Sequence, residues 1–310
     1  MAKVKTKSGL GTVNKILFIV FIALLVATII IVATTSVAPV SAEVEGEAGE
    51  FKDTVAIDEF VAGTYGGKEF KTVDDVVNYY NECFNYTKTL TAEYTVDGAT
   101  QQYYKLLGDE NLNVGNLLIE GKANKTIEKL VPGVVSNIFK GGVKGLSPSA
   151  SVEAKNDKKD DGAIDLSKSL LAPEDVLMAN VKENSDGTIS ITIQPKYVIL
   201  SMPGKDAQGK FFNTLGDISG VVSSISILSF SEGTVDDNFV VNYNGGSGVV
   251  TIDPKTGEIT AADYTMKVHI DVKHANVAVI KDKSASLDIT YTNHYPASAD
   301  YLAQHNIVAK

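Results

Sequence analysis

The sequence predicts an α+β fold: an antiparallel β-meander sheet with helices covering one face, preceded by an N-terminal transmembrane or signal helix. Two observations predict the folded part. Apolar residues recur at helical spacing in segments around 73–87 and 127–138. From residue 176 onward, apolar and polar residues alternate between short turns, as in antiparallel strands with one buried face. The helices are then the expected cover for that face.

The N-terminal 42 residues have the organisation of an export signal or a membrane anchor. Residues 1–15 carry four lysines and no acidic residue, and residues 16–33 form an uncharged apolar run. This run is longer than the apolar core of most cleaved signals and nearly long enough to cross a bilayer. Small residues ending at Ala42 offer a cleavage site, so the chain is either a single-pass membrane protein or a secreted one. In both cases the remainder lies outside the cytoplasm.

Composition divides the chain into a basic n-region (1–15), the apolar run (16–33), a spacer (34–70) and an extracytoplasmic α+β domain (71–310). The spacer is acidic and contains glycine, which is typical of a solvated linker. All 28 basic residues are lysine, and after residue 42 there are 24 lysines against 38 acidic residues, a net charge of −14. Such a charge disfavours binding to nucleic acid or to anionic head groups.

The first predicted element of the domain is a helix over residues 73–87. Thr72 and Asp75 resemble a capping box at its start. The apolar arc of this helix contains Val73, Val76, Val77, Tyr80, Cys83, Phe84 and Thr87. Cys83 is the only cysteine of the chain. Because it lies mid-helix on the apolar arc, we expect it to pack as a small buried side chain rather than to react.

Three asparagines, Asn78, Asn81 and Asn85, form a separate stripe on the same helix. Such a stripe can line a groove and bind a polar ligand. Alternatively, its amides satisfy neighbouring backbone groups or meet water. Both interpretations stay open, and these three residues are the candidate ligand-binding residues.

Three segments follow the helix. Residues 90–96 alternate as a strand. Residues 124–142 have helical spacing that Pro132 interrupts, which predicts a kink or two short helices. Residues 150–169 are highly charged and predict a long loop.

The second half of the chain has the clearer strand pattern. Residues 176–195 predict a hairpin that turns at 184–187, whereas 211–230 are ambiguous between helix and buried loop. From residue 239 a strand is expected to turn through "NGGSG" into a second strand, which turns through "DPKTG" into a long one. In this long strand Met266, Val268, Ile270 and Val272 face one way, and Lys267, His269, Asp271 and Lys273 face the other. The segments "NVAVI" and "SASLDITYTN" predict the last strands.

No motif of the chain is typical of a metal site or of a catalytic constellation. The four histidines have no metal-ligand spacing, and there is no pair of cysteines. A zinc site or a hydrolytic site would therefore have to be assembled from distant residues. We expect no cofactor, no metal and no catalytic residue.

The chain resembles a group of secreted or N-terminally anchored extracytoplasmic proteins of Gram-positive anaerobes. The likeness rests on the basic anchor, the early helix "YYNECFN" and the late hairpin "DPKTGEITAADY". It implies export, and it implies no particular activity and no catalytic residue.

These patterns predict a non-catalytic extracytoplasmic protein of the cell envelope that binds an apolar or amphipathic ligand such as a lipid. The reason is architectural, because a sheet covered on one side by helices can leave an apolar cleft. The alternatives are a surface structural or adhesive module and, third, a hydrolase with a scattered site. An exposed apolar or aromatic patch on the far face of the sheet would favour the adhesive module. Contact with the membrane is expected through the N-terminal helix.

Overall fold

The computed structural model describes residues 52–123, 142–149, 152–153, 165–214, 228–277 and 280–310. The apolar run at 16–33, the helical segment at 124–142 apart from its last residue, and most of the charged loop at 150–169 lie outside these residues. In the described part of the chain, no helix has both the length and the apolar character needed to cross a membrane.

The described residues are mostly antiparallel β-sheet with a small helical part. The helices are α1 (Val73–Thr89), α2 (Val235–Asn238) and α3 (Ala299–Gln304). The strands are β1 (Gly63–Tyr65), β2 (Lys68–Phe70), β3 (Thr91–Val96), β4 (Ala99–Tyr104), β5 (Leu107–Ile119), β6 (Lys122–Ala123), β7 (Lys144–Gly145), β8 (Val176–Glu183), β9 (Ile189–Pro195), β10 (Val198–Ile199), β11 (Leu228–Phe230), β12 (Phe239–Tyr243), β13 (Ser247–Asp253), β14 (Glu258–Val277), β15 (Ile280–Tyr295) and β16 (Ile307–Ala309).

The main sheet is built around the long hairpin of β14 and β15. Its strand order is β6-β5-β15-β14-β13-β9-β8, with β11 and β12 also paired to β14, β10 to β12 and β7 to β5. The predicted alternation of β14 is confirmed, because Met266, Val268 and Ile270 are at most 2% exposed. We call the face that carries them the inner face, and the face that carries Lys267 and His269 the outer face.

Helix α1 begins and packs as its sequence predicts. The backbone N–H of Asp75 donates to Thr72 Oγ1 at 3.3 Å and that of Thr72 to Asp75 Oδ2 at 2.9 Å, which closes the capping box. The apolar arc lies against β8, β9 and β14 of the main sheet. Cys83 is 2% exposed, and burial raises the pKa of its thiol to about 11. The expectation that Cys83 is a buried packing residue is confirmed.

The helical cover is smaller than the sequence predicts. In the described ranges α1 has 17 residues, whereas α2 and α3 have four and six. The second predicted helix, around 127–138, lies outside the described residues, so the described cover of the inner face includes a single long helix.

The folded domain begins earlier than residue 71. Strands β1 and β2, which the sequence analysis assigned to the spacer, form a hairpin, and Phe70 is fully buried. Further upstream, the carboxamide of Gln194 accepts from Ala56 N at 2.8 Å and donates to Thr54 O at 2.9 Å. A buried amide needs such partners, and here the supposed spacer supplies them. Residues that the sequence analysis assigned to the spacer therefore contact the folded domain.

The predicted reversal between β12 and β13 is also wrong. Both strands pair with β14 in the same direction, with Tyr243 opposite Val268 and Ser247 opposite Thr265. The glycines between them let the chain continue along β14 instead of turning back. A Cβ at Gly246 would lie 2.7 Å from the carbonyl oxygen of Thr265, so the close approach requires glycine.

A second, smaller sheet lies beside the first and has the strand order β16-β3-β4. The predicted strand at 90–96 is thereby confirmed as β3. Its own core contains Tyr94, Tyr103, Tyr104, Leu107, Val143 and Ile307. Leu107 belongs to β5, so this core joins the small sheet to the edge of the main one.

Candidate binding site

The inner face of the main sheet is organised in rows that cross β14, β15 and β5. Directly paired residues of antiparallel strands project from the same face, so each register pair defines part of a row. One row is polar: Tyr264 is opposite Asn293, and Asn293 is opposite Glu110. We call these three residues the polar row. Strand alternation places them on the face that carries the apolar core.

Asn293 is 3% exposed and incompletely hydrogen-bonded. Its Oδ1 lies 3.4 Å from Ser147 Oγ, while Nδ2 is buried with no partner among the described residues. In either orientation of the carboxamide, only one of its two polar atoms can face Ser147. A buried polar atom without a partner costs about 1–3 kcal/mol, so a group that pairs with it would gain binding free energy.

The surroundings of Ser147 form a hydrogen-bonded cluster next to the polar row. Asn213 Nδ2 donates to Ser147 Oγ at 3.0 Å, and Ser147 Oγ lies 3.0 Å from the hydroxyl of Tyr295. That hydroxyl donates to the carbonyl oxygen of Gly145 at 2.8 Å. Ser147 has a single proton, and Tyr295 is its closer acceptor, so Asn293 receives at best a weak hydrogen bond from it.

Glu110 is the second incompletely paired member of the polar row. Its side chain exposes 10% of its surface. Oε1 accepts from Gly142 N at 2.6 Å, whereas Oε2 is buried and has no hydrogen-bond partner within the described ranges. The Nζ of Lys144 lies 4.0 Å from Oε2, beyond hydrogen-bonding distance. Burial raises the pKa of Glu110, and the charge of Lys144 acts in the opposite direction.

The rest of the inner face, going along the strands away from the polar row, is apolar. We call the next four rows the apolar rows; they contain Met266, Tyr291 and Leu112, then Val268, Ile289 and Val114, then Ile270 and Leu287, and finally Val272, Ala285 and Ile119. Six residues of strand separate the first row from the last, which is about 20 Å. This compares with about 15 Å for half of a bilayer's hydrocarbon core. The inner face is therefore polar at one level and apolar along the length of an acyl chain.

The asparagine stripe of α1 lies elsewhere and contacts another segment of the chain. Asn81 Nδ2 donates to the carbonyl oxygen of Leu171 at 2.7 Å, and its Oδ1 accepts from Ser169 Oγ at 2.6 Å. Asn85 Oδ1 accepts from Ser169 N at 2.8 Å, while Asn78 is exposed. Two of the three predicted ligand-binding residues thus hold the segment 169–171. Ligand binding by the stripe remains a prediction.

The outer face is polar. Thr265, Lys267, Thr290 and Thr292 project from its centre. The large apolar side chains that are exposed in the described residues are scattered: Val55, Val61, Tyr86, Leu170, Ile199, Met202, Val249 and Val308. Among the described residues, the central outer face thus lacks the apolar or aromatic patch that would favour an adhesive module.

One histidine of the outer face lies between two carboxylates. His269 Nδ1 is 2.6 Å from Asp288 Oδ1, and its Nε2 is 3.2 Å from Asp271 Oδ1. Asn116 Nδ2 donates to the other oxygen of Asp288 at 2.6 Å. Hydrogen bonds to Asp271 and Asp288 raise the pKa of His269 to about 9. The imidazole is therefore protonated at neutral pH and binds both strands of the central hairpin.

We expect the stability of the protein to fall in mild alkali because of His269. An unfolded histidine has a pKa of about 6.5, so the stabilisation is fully present below that pH and is lost as pH rises through about 9. The unfolding temperature of the full-length protein should exceed that of His269→Gln at pH 6, and the difference should shrink by pH 9.5. His294→Gln, whose side chain is 54% exposed, is the matched control with a smaller effect. If the unfolding temperatures of the full-length protein and of His269→Gln differ by the same amount at both pH values, this expectation is contradicted.

Sequence analysis singled out neither Glu110 nor Asn293. Asn293 had a readable signal, because it continues the buried alternation of Leu287, Ile289 and Tyr291 with a polar residue. Glu110 had a weaker signal, because only Leu112 and Val114 mark its phase of the strand as apolar and they are followed by Asn116. Its role depends on the pairing with β15.

Within the ranges that the structure describes, no three histidine, cysteine or acidic residues cluster as metal ligands. Comparisons of the chain with protein-family models, with curated proteins and with solved structures returned no match. The inner face therefore has to be interpreted from its own chemistry.

Proposed function

We propose that this protein is a non-catalytic extracytoplasmic protein of the cell envelope that binds an amphipathic ligand of the lipid class. The ligand lies along the inner face of the main sheet, with its head group at the polar row and its chain along the apolar rows. Export rests on the basic and apolar N-terminal sequence, which either anchors the domain or is cleaved near Ala42.

One observation carries the proposal: unpaired buried polar atoms and a long apolar surface adjoin on the same face. Buried polar groups in proteins are normally hydrogen-bonded, and two neighbours in one row depart from that rule. A polar head group is a suitable partner for Asn293 and Glu110. Within the apolar rows, Leu112 and Val114 of β5 are only half-buried, and they present apolar area that a hydrocarbon chain would cover at about 25 cal/mol per Å².

The non-catalytic assignment is part of the same proposal. Among the described residues, the side chains around the polar row are one carboxyl, amides, hydroxyls and the ammonium groups of Lys88 and Lys144. Ser147 itself contacts Asn213, Asn293 and Tyr295. A serine needs an adjacent base to become a nucleophile, and these three partners supply none at neutral pH. Recognition is the chemistry that such groups perform well.

Photolabelling tests the binding site directly. The full-length protein, held in an amphipathic polymer, is incubated with a dodecanoyl glycerol that carries a diazirine in its chain, irradiated, digested and mapped by mass spectrometry. We expect labels on inner-face positions of β5, such as the half-buried Leu112 and Val114, and fewer labels when unlabelled 1-dodecanoylglycerol is in excess. Labels confined to residues 16–33 or to the outer face would overturn the proposal.

A further inference from the structure

We propose that the polar row selects an uncharged, hydroxyl-bearing head group, so that the ligand is a neutral glycerolipid rather than a phospholipid, a fatty acid or an alkylammonium. This inference rests on the proposed function and specifies which members of the lipid class bind. It follows from which polar atoms are unpaired and from how the neighbouring charges are already paired.

The unpaired atoms require a partner that can both donate and accept. Asn293 offers one carboxamide atom, which is Nδ2, a donor, in the orientation that faces Ser147 with Oδ1. Glu110 offers Oε2, an acceptor when the carboxyl is ionised and a donor when it is protonated. A hydroxyl group satisfies any combination of these states because it donates and accepts equally well.

Of the described residues near the row, two are lysines, and the ammonium group of each already has partners, which disfavours an anionic head group. Lys144 Nζ lies 4.0 Å from Glu110 Oε2, so the carboxylate balances its charge whenever Glu110 is ionised. The ammonium of Lys88, beside Ser147, donates to the carbonyl oxygen of Leu146 at 3.1 Å and lies 4.2 Å from the ring centroid of Tyr104. A phosphate or carboxylate would face Glu110 and would have to displace one of these contacts. The chain contains no arginine that could clamp it.

A cationic head group is disfavoured by the amide. A trimethylammonium cannot accept a hydrogen bond from Asn293 or donate one to Glu110, so the polar atoms stay unpaired when it binds. Quaternary ammonium ligands are held by faces of several aromatic rings. In the polar row itself only Tyr264 is aromatic, and its hydroxyl is 3.1 Å from that of Tyr80.

Competition among probes with one tail and different heads tests the selection. The photolabel described above is displaced from the full-length protein by 1-dodecanoylglycerol, dodecanoate, dodecyl phosphate or dodecyltrimethylammonium, each below its critical micelle concentration. We expect the glycerol ester to compete at a concentration about tenfold lower than the others. This factor corresponds to the net free energy of one additional hydrogen bond between the head group and the protein. The shared tail removes differences in chain burial.

Three variants locate the selectivity. Asn293→Leu should lose most of the tenfold preference, whereas Thr292→Val, its neighbour on the outer face, should keep it. Glu110→Gln preserves the size of the side chain and removes its charge, so dodecyl phosphate should become a better competitor. Far-ultraviolet circular dichroism verifies folding, and Glu110→Gln tests the inference even where Asn293→Leu does not fold.

The outcomes separate the two proposals. Equal competition by all four probes, or a preference for dodecyl phosphate, would overturn the head-group inference and leave lipid binding intact. Absence of inner-face labelling and of competition by every probe would overturn the proposed function itself. An unchanged preference in both Asn293→Leu and Glu110→Gln would show that the polar row does not select the head group.

Discussion

Phe84→Ala is expected to destabilise the protein by about 3–5 kcal/mol, the usual cost of removing a buried aromatic ring. Phe84 is fully buried, and its ring centroid is 5.9 Å from that of Tyr80. Tyr80 in turn contacts Phe211 at 5.8 Å between centroids. Tyr80, on the same helix, thus connects the ring of Phe84 to the aromatic core on the inner face of the sheet. Alanine at position 84 would leave a cavity that its neighbours cannot easily fill.

Tyr86→Ala is the matched control, because it removes an aromatic ring from the same helix at a site that is 43% exposed. Both changes raise helix propensity by a similar amount, so the difference between them reports burial. Urea unfolding of the full-length proteins, followed by tyrosine fluorescence and circular dichroism, gives the free energies. The control should cost less than about 0.5 kcal/mol. Equal losses in the two variants would mean that α1 is not a main contributor to the core.

Gly108→Ala is expected to cost about 1–3 kcal/mol and to weaken ligand binding as well. A Cβ at Gly108 would lie 2.4 Å from Tyr295 Cε1 and 2.7 Å from the carbonyl oxygen of His294. The ring of Tyr295 must therefore move, and with it the hydroxyl that contacts Gly145 and Ser147. The hydrogen bonds beside the polar row then lose their geometry.

Gly115→Ala on the same strand is the control for this prediction. A Cβ at Gly115 meets no atom within 4 Å, so the substitution should be neutral or slightly stabilising through loss of unfolded-chain entropy. Urea midpoints and photolabel yields of the two variants are compared. If Gly108→Ala is destabilised but is labelled normally, recognition at the polar row does not depend on the packing of Tyr295, and this prediction is contradicted.

The strands that were predicted correctly are those with one buried face. Apolar and polar residues alternate along β14, so burial of one face appears directly in the sequence as a period of two. The turn at 253–257 was equally readable because its residues favour a tight reversal. These signals are local, and local physics is sufficient to produce them.

The features that were missed depend on contacts between distant residues. Strand β5 contains Glu110 and several asparagines, so its hydrophobic pattern is weak until β15 pairs with it. The glycines after Tyr243 favour a turn locally, but β14 is long enough to pair with both flanking strands. Likewise, no pattern within α1 indicates that Asn81 meets Ser169, which is 88 positions away. Glu110 and Asn293 become a candidate site only through register.

The contact of Gln194 with Thr54 and Ala56 shortens the connecting segment between the apolar run and the domain. Sequence analysis assigns 37 residues, 34–70, to the connection between the apolar run and the domain, which would reach about 125 Å when fully extended. Because Asp53 Oδ1 accepts from Tyr197 N and Thr54 O accepts from Gln194 Nε2, only the 19 residues 34–52 lie between the apolar run and these contacts. Their limit is about 65 Å when fully extended. For a chain anchored through 16–33, the domain would therefore stay within about 65 Å of the membrane surface.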